Sequence, residues 1–215
     1  MKHLRLRPYI DQVESWPERG RVILAQYDEE TIVVYQATSH SAGRYAVRHG
    51  RLGGPGFSPE RMSWIKTSFL WMMHRSGWGT RPGQTAVLAI WLRREAFDSL
   101  LAQAVHAQFV PELYESKAAW QAALEDSEVR LQWDPDHDPR GMKLRRRTIH
   151  LGLRGETLRR FASEWIVHIE DIGDLARQQA EYAHEPEFLL IPAERLYPVR
   201  DRALARRLQL DRSVP

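Results

Sequence analysis

The 215-residue sequence contains no cysteine and no long apolar run. Without cysteine, disulfides, thiolate nucleophiles and cysteine-based zinc sites are excluded. No window approaches the roughly 18 consecutive apolar residues that a membrane helix needs, so we expect no membrane partner. Residues 1–8 lack the apolar centre of a signal peptide, which favours a cytoplasmic protein.

The sequence also lacks the commonest catalytic motifs. It has no GxxxxGK[ST] phosphate loop, no GxGxxG fingerprint, no HExxH helix and no GxSxG elbow. The acidic segment 134–138 offers oxygen ligands for a cation, but its prolines are equally typical of an ordinary turn, so we predict no metal site. His150 and His168 lie in strand candidates that could face each other, and we expect satisfied or half-exposed histidines there.

Composition is that of a globular protein. Hydrophobic residues make up 43% and charged residues 27%, and the formal charge is +3, with arginine outnumbering lysine. The length predicts a single domain over residues 1–215, with a core at about 20–198 and a basic helical tail at 199–215. The charge permits a nucleic-acid partner without requiring one.

Apolar spacing predicts an α+β fold. Strands are predicted within 21–36 and at 86–92, 129–133, 147–153 and 164–169. Helices are predicted at 39–50, 59–78, 94–108, 117–125, 155–162, 172–182 and 204–210. Because no regular alternation of strand and helix appears, we expect a mixed or antiparallel sheet with helices.

Four segments carry a family resemblance. They are VYQATS at 34–39, MSWIKTSFLWMMHRSGW at 62–78, QWDP at 132–135 and EWIV at 164–167. The sequence resembles a bacterial and fungal family of proteins of unknown function with the pattern VYQAYS, MTWIKPSFLWMMYRSGW, QWDP and EWIV. Its departures from that pattern include Thr38, Thr67 and His74, and the likeness spans about residues 20–198.

The order of elements is further similar to the ADP-ribosyltransferase fold, which implies that NAD is a substrate. Many such transferases carry Tyr-His and then Gly-Thr on an early strand, where this sequence has YQAT at 35–38. Gln36 would then bond a ribose hydroxyl through its amide. Glu164, at the start of a late strand, is the catalytic carboxylate that the resemblance implies, and Glu194 is its rival.

The aromatic segment supplies most of the NAD-binding candidates. Trp and Arg side chains can stack on the rings, and a cation can neutralise the pyrophosphate. Spaced seven apart, Trp64, Trp71 and Trp78 could instead form one apolar seam of a helix. Lys66 and Arg75 must be paired with a carboxylate or a ligand, because an isolated buried charge is costly. The cofactor-binding candidates are Tyr35, Gln36, Trp64, Lys66, Ser68, Trp71 and Arg75.

The acceptor side is predicted from the second half of the chain. A basic stretch at 140–147 could grip a nucleic-acid backbone, or it could be a solvated strand. The substrate-binding candidates are Trp133, Asp134, Arg145 and Arg146. Two alternative functions stay open: a non-catalytic domain that binds single-stranded nucleic acid by Trp stacking, and an NAD-dependent RNA 2′-phosphotransferase, which would need two or more converging arginines.

Overall fold

A computed structural model describes residues 3–54 and 56–211 of the chain. Its strands are β1 (Leu6–Pro8), β2 (Gly20–Val22), β3 (Leu24–Ala25), β4 (Thr31–Thr38), β5 (Ser63–Lys66), β6 (Ala86–Arg93), β7 (Val105–His106), β8 (Val129–His137), β9 (Lys143–Leu153), β10 (Ile166–Asp171), β11 (Leu190–Pro192) and β12 (Arg195–Leu196). Its helices are α1 (Tyr9–Val13), α2 (His40–His49), α3 (Phe69–Ser76), α4 (Arg94–Gln103), α5 (Lys117–Asp126), α6 (Gly155–Ser163), α7 (Gly173–Ala180) and α8 (Arg202–Arg207).

One mixed sheet organises the chain. Its strand order is β10-β6-β4-β5-β9-β8-β7, with β2 paired to β9 outside this path. The β2–β9 and β7–β8 pairs are parallel, and the other neighbours are antiparallel. The short pairs β1–β11 and β3–β12 stand apart from this sheet. The α+β class and the mixed sheet predicted from the apolar pattern are therefore confirmed.

Apolar residues cover both faces of the sheet. Along β4, Ile32 and Val34 belong to one buried cluster, whereas Val33 and Tyr35 belong to another. Side chains from α2, α4 and α6 pack in the first cluster, and those from α3 and α7 pack in the second. Because successive side chains of a strand point to opposite faces, a continuous apolar run fits a central strand covered on both sides.

Local signals placed several elements correctly. Ser39 caps α2 by accepting a hydrogen bond from the backbone of Ala42, and Gly50 ends the helix in the left-handed conformation with φ 62°. The predicted strand at 86–92 is β6, and the predicted tail helix overlaps α8. Residues 212–215 of the predicted tail, and Pro55, lie outside the described residues.

The prediction of one helix over 59–78 is wrong. Residues 63–66 form β5, which pairs with β9 so that Trp64 lies opposite Gly152. Only after Ser68, whose hydroxyl caps the backbone of Trp71, does α3 begin. In the sheet, β5 lies between β4 and β9 and pairs with both. This tertiary pairing outweighs the helical spacing of the apolar residues. The proposed tryptophan seam therefore does not exist, because Trp64 lies on a strand.

The second half of the chain also differs from prediction. The acidic segment is mostly strand, because β8 runs on to His137, and the reversal of the chain falls at 138–142. The basic run and the following predicted strand are one strand, β9. Helix α4 ends at Gln103, before the predicted limit. No helix in the described ranges is long and apolar enough to cross a membrane.

Candidate functional site

A cleft of about 480 Å³ opens where β4, β5 and β9 meet α3 and the loop after α2. This volume is within the range of small-molecule sites. Its lining combines indole, guanidinium and amide side chains with one imidazole. The polar and aromatic residues that matter most are Gln36, Arg61, Trp64, Trp71, Arg75, Gln84 and His150.

Two amide side chains in the lining of this cleft have an acceptor without a partner among the described residues. Gln36 donates a hydrogen bond from Nε2 to Ser63 Oγ at 2.7 Å, which fixes the orientation of the amide. Its Oε1 is buried and has no partner among the described residues, and the same holds for Gln84 Oε1. Since buried acceptors without partners are costly, these two oxygens are suited to receive donors from a ligand.

An ionic network lies against the cleft. Asp134 Oδ2 accepts hydrogen bonds from Lys66 Nζ at 2.8 Å and from His150 Nδ1 at 3.1 Å. Asp134 Oδ1 accepts from Gln132 Nε2 at 2.7 Å. The Lys66 side chain has no exposed surface, and its ammonium lies 3.9 Å from the centre of the Trp71 ring. The expectation that Lys66 pairs with a carboxylate is therefore met.

Burial and pairing set the charges of this network. Burial lowers the pKa of Lys66 to about 8, although Asp134 opposes the change. Burial alone would raise the pKa of Asp134, but the hydrogen bond from His150 and the charge of Lys66 lower it well below its usual range. Burial also lowers the pKa of His150 below 6.5. Near pH 7, Asp134 is therefore an anion and His150 is neutral.

His150 is placed to exchange a proton with a ligand. Its ring centre lies 4.5 Å from that of Trp64 and 4.9 Å from that of Trp71. Because ionised Asp134 can only accept, Nδ1 of the neutral ring must carry the proton. No described residue bonds Nε2, so its lone pair is free to accept a proton in the cleft.

The structure brings together four of the seven cofactor-binding candidates: Gln36, Trp64, Trp71 and Arg75 line the cleft. Lys66 does not line the cleft and pairs with Asp134 instead. Tyr35 is fully buried on the other face of β4, where its ring packs edge-on against Phe69 at 5.7 Å. Ser68 is also buried, caps α3 and donates to Asp136 Oδ1 at 2.8 Å. Tyr35 and Ser68 therefore do not line the cleft, contrary to the prediction, and their contacts are within the fold.

The expectation that Glu164 and Gln36 converge on one ligand is wrong. Gln36 lies opposite Leu88 near the start of β6, whereas the backbone of Arg93 at the end of β6 bonds to that of Trp165. The five residue steps of β6 from Leu88 to Arg93 correspond to roughly 17 Å. Glu164 is 59% exposed, pairs with Arg160 at 3.2 Å and lines a separate cavity.

The rival carboxylate also lies outside the cleft. Glu194 is buried, and its Oε1 accepts the backbone N–H of Phe69 at 2.7 Å. Burial raises its pKa well above the usual range. Among the carboxylates named from the sequence, Asp134 is therefore the one whose position links it to the cleft, through His150.

The acceptor candidates are separated by the alternation of strands β8 and β9. Arg146 is buried and donates to Asp136 Oδ2 at 2.9 Å, so it cannot grip a nucleic-acid backbone. Arg145 is exposed and lies on the opposite face of β9. Trp133 bonds the backbone of Leu208 at 3.0 Å and lines a different cavity. The basic stretch is thus not one continuous surface.

His150, Arg61 and Gln84 line the cleft but were not predicted from the sequence as site residues. His150 offered a weak signal, because it is the titratable residue within the mostly apolar run TIHLGL. His150 and His168 do not face each other: His168, on β10, pairs with Trp91 of β6, and three strands separate β10 from β9. No cluster suited to a metal ion occurs in the described ranges 3–54 and 56–211.

Fold and site together define an α+β protein with a mixed sheet and a polar, aromatic cleft at the junction of β4, β5 and β9. A family model described as a domain of unknown function (DUF4291) matches residues 22–197, so the chain belongs to that family. No curated protein matches the chain. The family match agrees with the expectation of an uncharacterised family, while the likeness to ADP-ribosyltransferases stays a prediction.

Proposed function

We propose that this protein is a transferase that binds NAD in the cleft and transfers ADP-ribose to an acceptor. One observation supports this most directly: Gln36 and Gln84, which both line the cavity, have buried amide oxygens without a partner among the described residues, and two indoles and two arginines line the same cavity. A dinucleotide offers the matching groups, namely hydroxyl and amide donors, flat rings and a pyrophosphate.

Each part of the lining has a role in this binding mode. Gln36 Oε1 accepts a hydrogen bond from a ribose hydroxyl, and Gln84 Oε1 accepts one from another hydroxyl or the carboxamide. Trp64 and Trp71 provide apolar faces for the nicotinamide or adenine ring. Arg61, from the loop before β5, neutralises the pyrophosphate, together with the guanidinium of Arg75.

The chemistry is substitution at the ribose carbon that bears nicotinamide. The bond from this carbon to the nicotinamide nitrogen breaks, and its electron pair leaves with nicotinamide. An oxygen or nitrogen of the acceptor forms the new bond, and its proton passes to Nε2 of His150. Asp134 holds the imidazole by its Nδ1–H and stabilises the imidazolium that forms. Glu164 has no part in this scheme.

Binding and turnover of NAD test the proposal. We expect NAD to raise the melting temperature and the protein to release nicotinamide, measured by chromatography. Gln36→Met keeps the side-chain length but removes the acceptor, so it should reduce the NAD-induced shift while leaving the melting temperature without NAD nearly unchanged. Absence of both an NAD-induced shift and nicotinamide release would contradict the proposal.

A second set of variants identifies the proton acceptor. His150→Gln should abolish nicotinamide release, whereas Glu164→Gln should retain it, which is the reverse of the expectation from sequence. Because burial lowers the pKa of His150, the rate should stay constant through pH 7 and fall only at pH values below 6.5. Loss of release in Glu164→Gln with retention in His150→Gln would refute this assignment.

The same cleft supports a second candidate, a non-catalytic domain for single-stranded nucleic acid. Half-buried Trp64 and Trp71 beside exposed Arg61 and Arg75 are typical of base stacking combined with phosphate contacts. Steeply salt-dependent binding of oligonucleotides, with no nicotinamide release and no effect of NAD, would favour it. Loss of phosphate from an RNA that carries a 2′-phosphate, dependent on NAD, would instead favour the phosphotransferase.

A further inference from the structure

A second cavity, of about 400 Å³, adjoins the cleft and shares Trp71, Arg75 and His150 with it. We call it the cationic groove. Its remaining walls come from the end of α3 and from the facing ends of β8 and β9. The residues that give it its character are His74, Arg75, Arg81, His137 and Lys143.

Three cations reach this groove from different parts of the chain. Arg75 lies in the last turn of α3, Arg81 in the loop that follows, and Lys143 at the start of β9. All three are exposed, and none has an ion pair or a side-chain hydrogen bond within the described residues. Their positions converge, because all three line the same cavity. Consistent with this, burial and then the charges of all three lower the pKa of His74.

The groove has little negative charge to neutralise these cations. Asp134 is the carboxylate that lines it, and Asp134 is already paired with Lys66 and hydrogen-bonded to His150. Unpaired cations that converge beside a proton acceptor repel one another unless an anion lies between them. The balance of charge in the groove therefore favours an anionic ligand.

Two stacked imidazoles supply a second, independent observation. The rings of His74 and His137 lie 3.8 Å apart and nearly parallel, at 11°. His137 is only 4% exposed, yet neither of its ring nitrogens has a partner in the described part of the chain. A neutral imidazole always carries one N–H. Because this donor is buried without an acceptor in His137, it is suited to donate to an acceptor atom of a ligand.

We propose that the cationic groove binds the terminal phosphate of a nucleic-acid strand and thereby holds the acceptor beside His150. A terminal phosphate is a dianion near pH 7 with three strong acceptor oxygens, which suits three cations better than the single charge of an internal phosphodiester. The inference names the acceptor class for the proposed transferase and in that sense rests on the proposed function. The binding itself is tested without NAD.

The probes are ten-residue single-stranded DNA and RNA oligonucleotides with a fluorophore at one end and either a phosphate or a hydroxyl at the other. We expect the phosphorylated form to bind about tenfold tighter in fluorescence polarisation, the effect of one or two charge-assisted hydrogen bonds. Arg81→Gln and Lys143→Gln should each remove most of that preference. Arg202→Gln, an exposed position on α8 outside the cationic groove, removes the same charge and should leave the preference intact.

Each outcome decides one question. Equal affinity for the phosphate and hydroxyl ends, or a preference that survives Arg81→Gln and Lys143→Gln, would overturn the inference. Displacement by inorganic phosphate of a probe that shows no end preference would assign the groove to a small phosphate and would also overturn it. A preserved end preference without any nicotinamide release would contradict the proposed function alone, whereas release without end preference would contradict this inference alone.

Discussion

The buried ammonium of Lys66 makes the stability of the protein depend on pH in the alkaline range. Burial lowers its pKa from 10.5 to about 8 in the folded chain. Between these values the unfolded chain keeps a proton on Lys66 that the folded chain has lost, so the free energy of unfolding rises with pH. The difference between 10.5 and about 8, at about 1.4 kcal/mol for each pKa unit, corresponds to about 3 kcal/mol.

Lys66→Met removes this dependence. Methionine fills a similar volume beside Trp71 without a charge, at the cost of leaving Asp134 with only His150 and Gln132 as partners. We expect the variant to be less stable than the wild type at every pH. The stability gap should widen by about 3 kcal/mol between pH 8 and 10.5, because only the wild type gains from deprotonation of a buried lysine.

The assay is urea unfolding at several pH values from 7.5 to 10.5, with the wild type and the variant compared at each value. Tyrosines that titrate in this range contribute equally to both proteins and cancel in the difference. Lys117→Met, at the exposed first position of α5, reports the effect of the same substitution at the surface. A gap between wild type and Lys66→Met that stays constant over the range would refute the reasoning.

Two further predictions concern stability. Gly43→Ala should destabilise the protein, because the new methyl group would lie 2.4 Å from the Cβ of Ala86. This clash should outweigh the helix propensity of alanine, which is better than that of glycine by about 1 kcal/mol. Higher stability of the variant in urea unfolding would contradict the close packing of α2 on β6. His137 has a pKa lowered to about 4, mainly by burial, so the unfolded chain takes up its proton first as the pH falls below about 6.5. The free energy of unfolding should therefore fall between pH 6.5 and 4, and His137→Leu should reduce that loss; identical acid profiles would show that His137 is not responsible.

Local signals in the sequence were sufficient for elements whose ends are set by their own residues. Helix α2 begins after Ser39, whose hydroxyl caps a free backbone N–H group, and ends at Gly50, because glycine adopts the left-handed conformation at no steric cost. The apolar run of β6 and the α+β class could be predicted in the same way. The apolar surroundings of Lys66 in the sequence also predicted correctly that it needs a partner, but the same argument did not hold for Arg75, which is exposed.

Only the tertiary structure decided which residues meet. The partner of Lys66 is Asp134, 68 residues away, and no local pattern identifies it. Trp64 lies on a strand because pairing with β9 outweighs the helical spacing of its segment. His150 belongs to the cleft and Glu164 does not, because the order of strands places β9 beside β5 and β10 at the far edge of the sheet. Local preferences are small and repeat along the chain, whereas a site is made by long-range pairing that the sequence specifies only through the whole core.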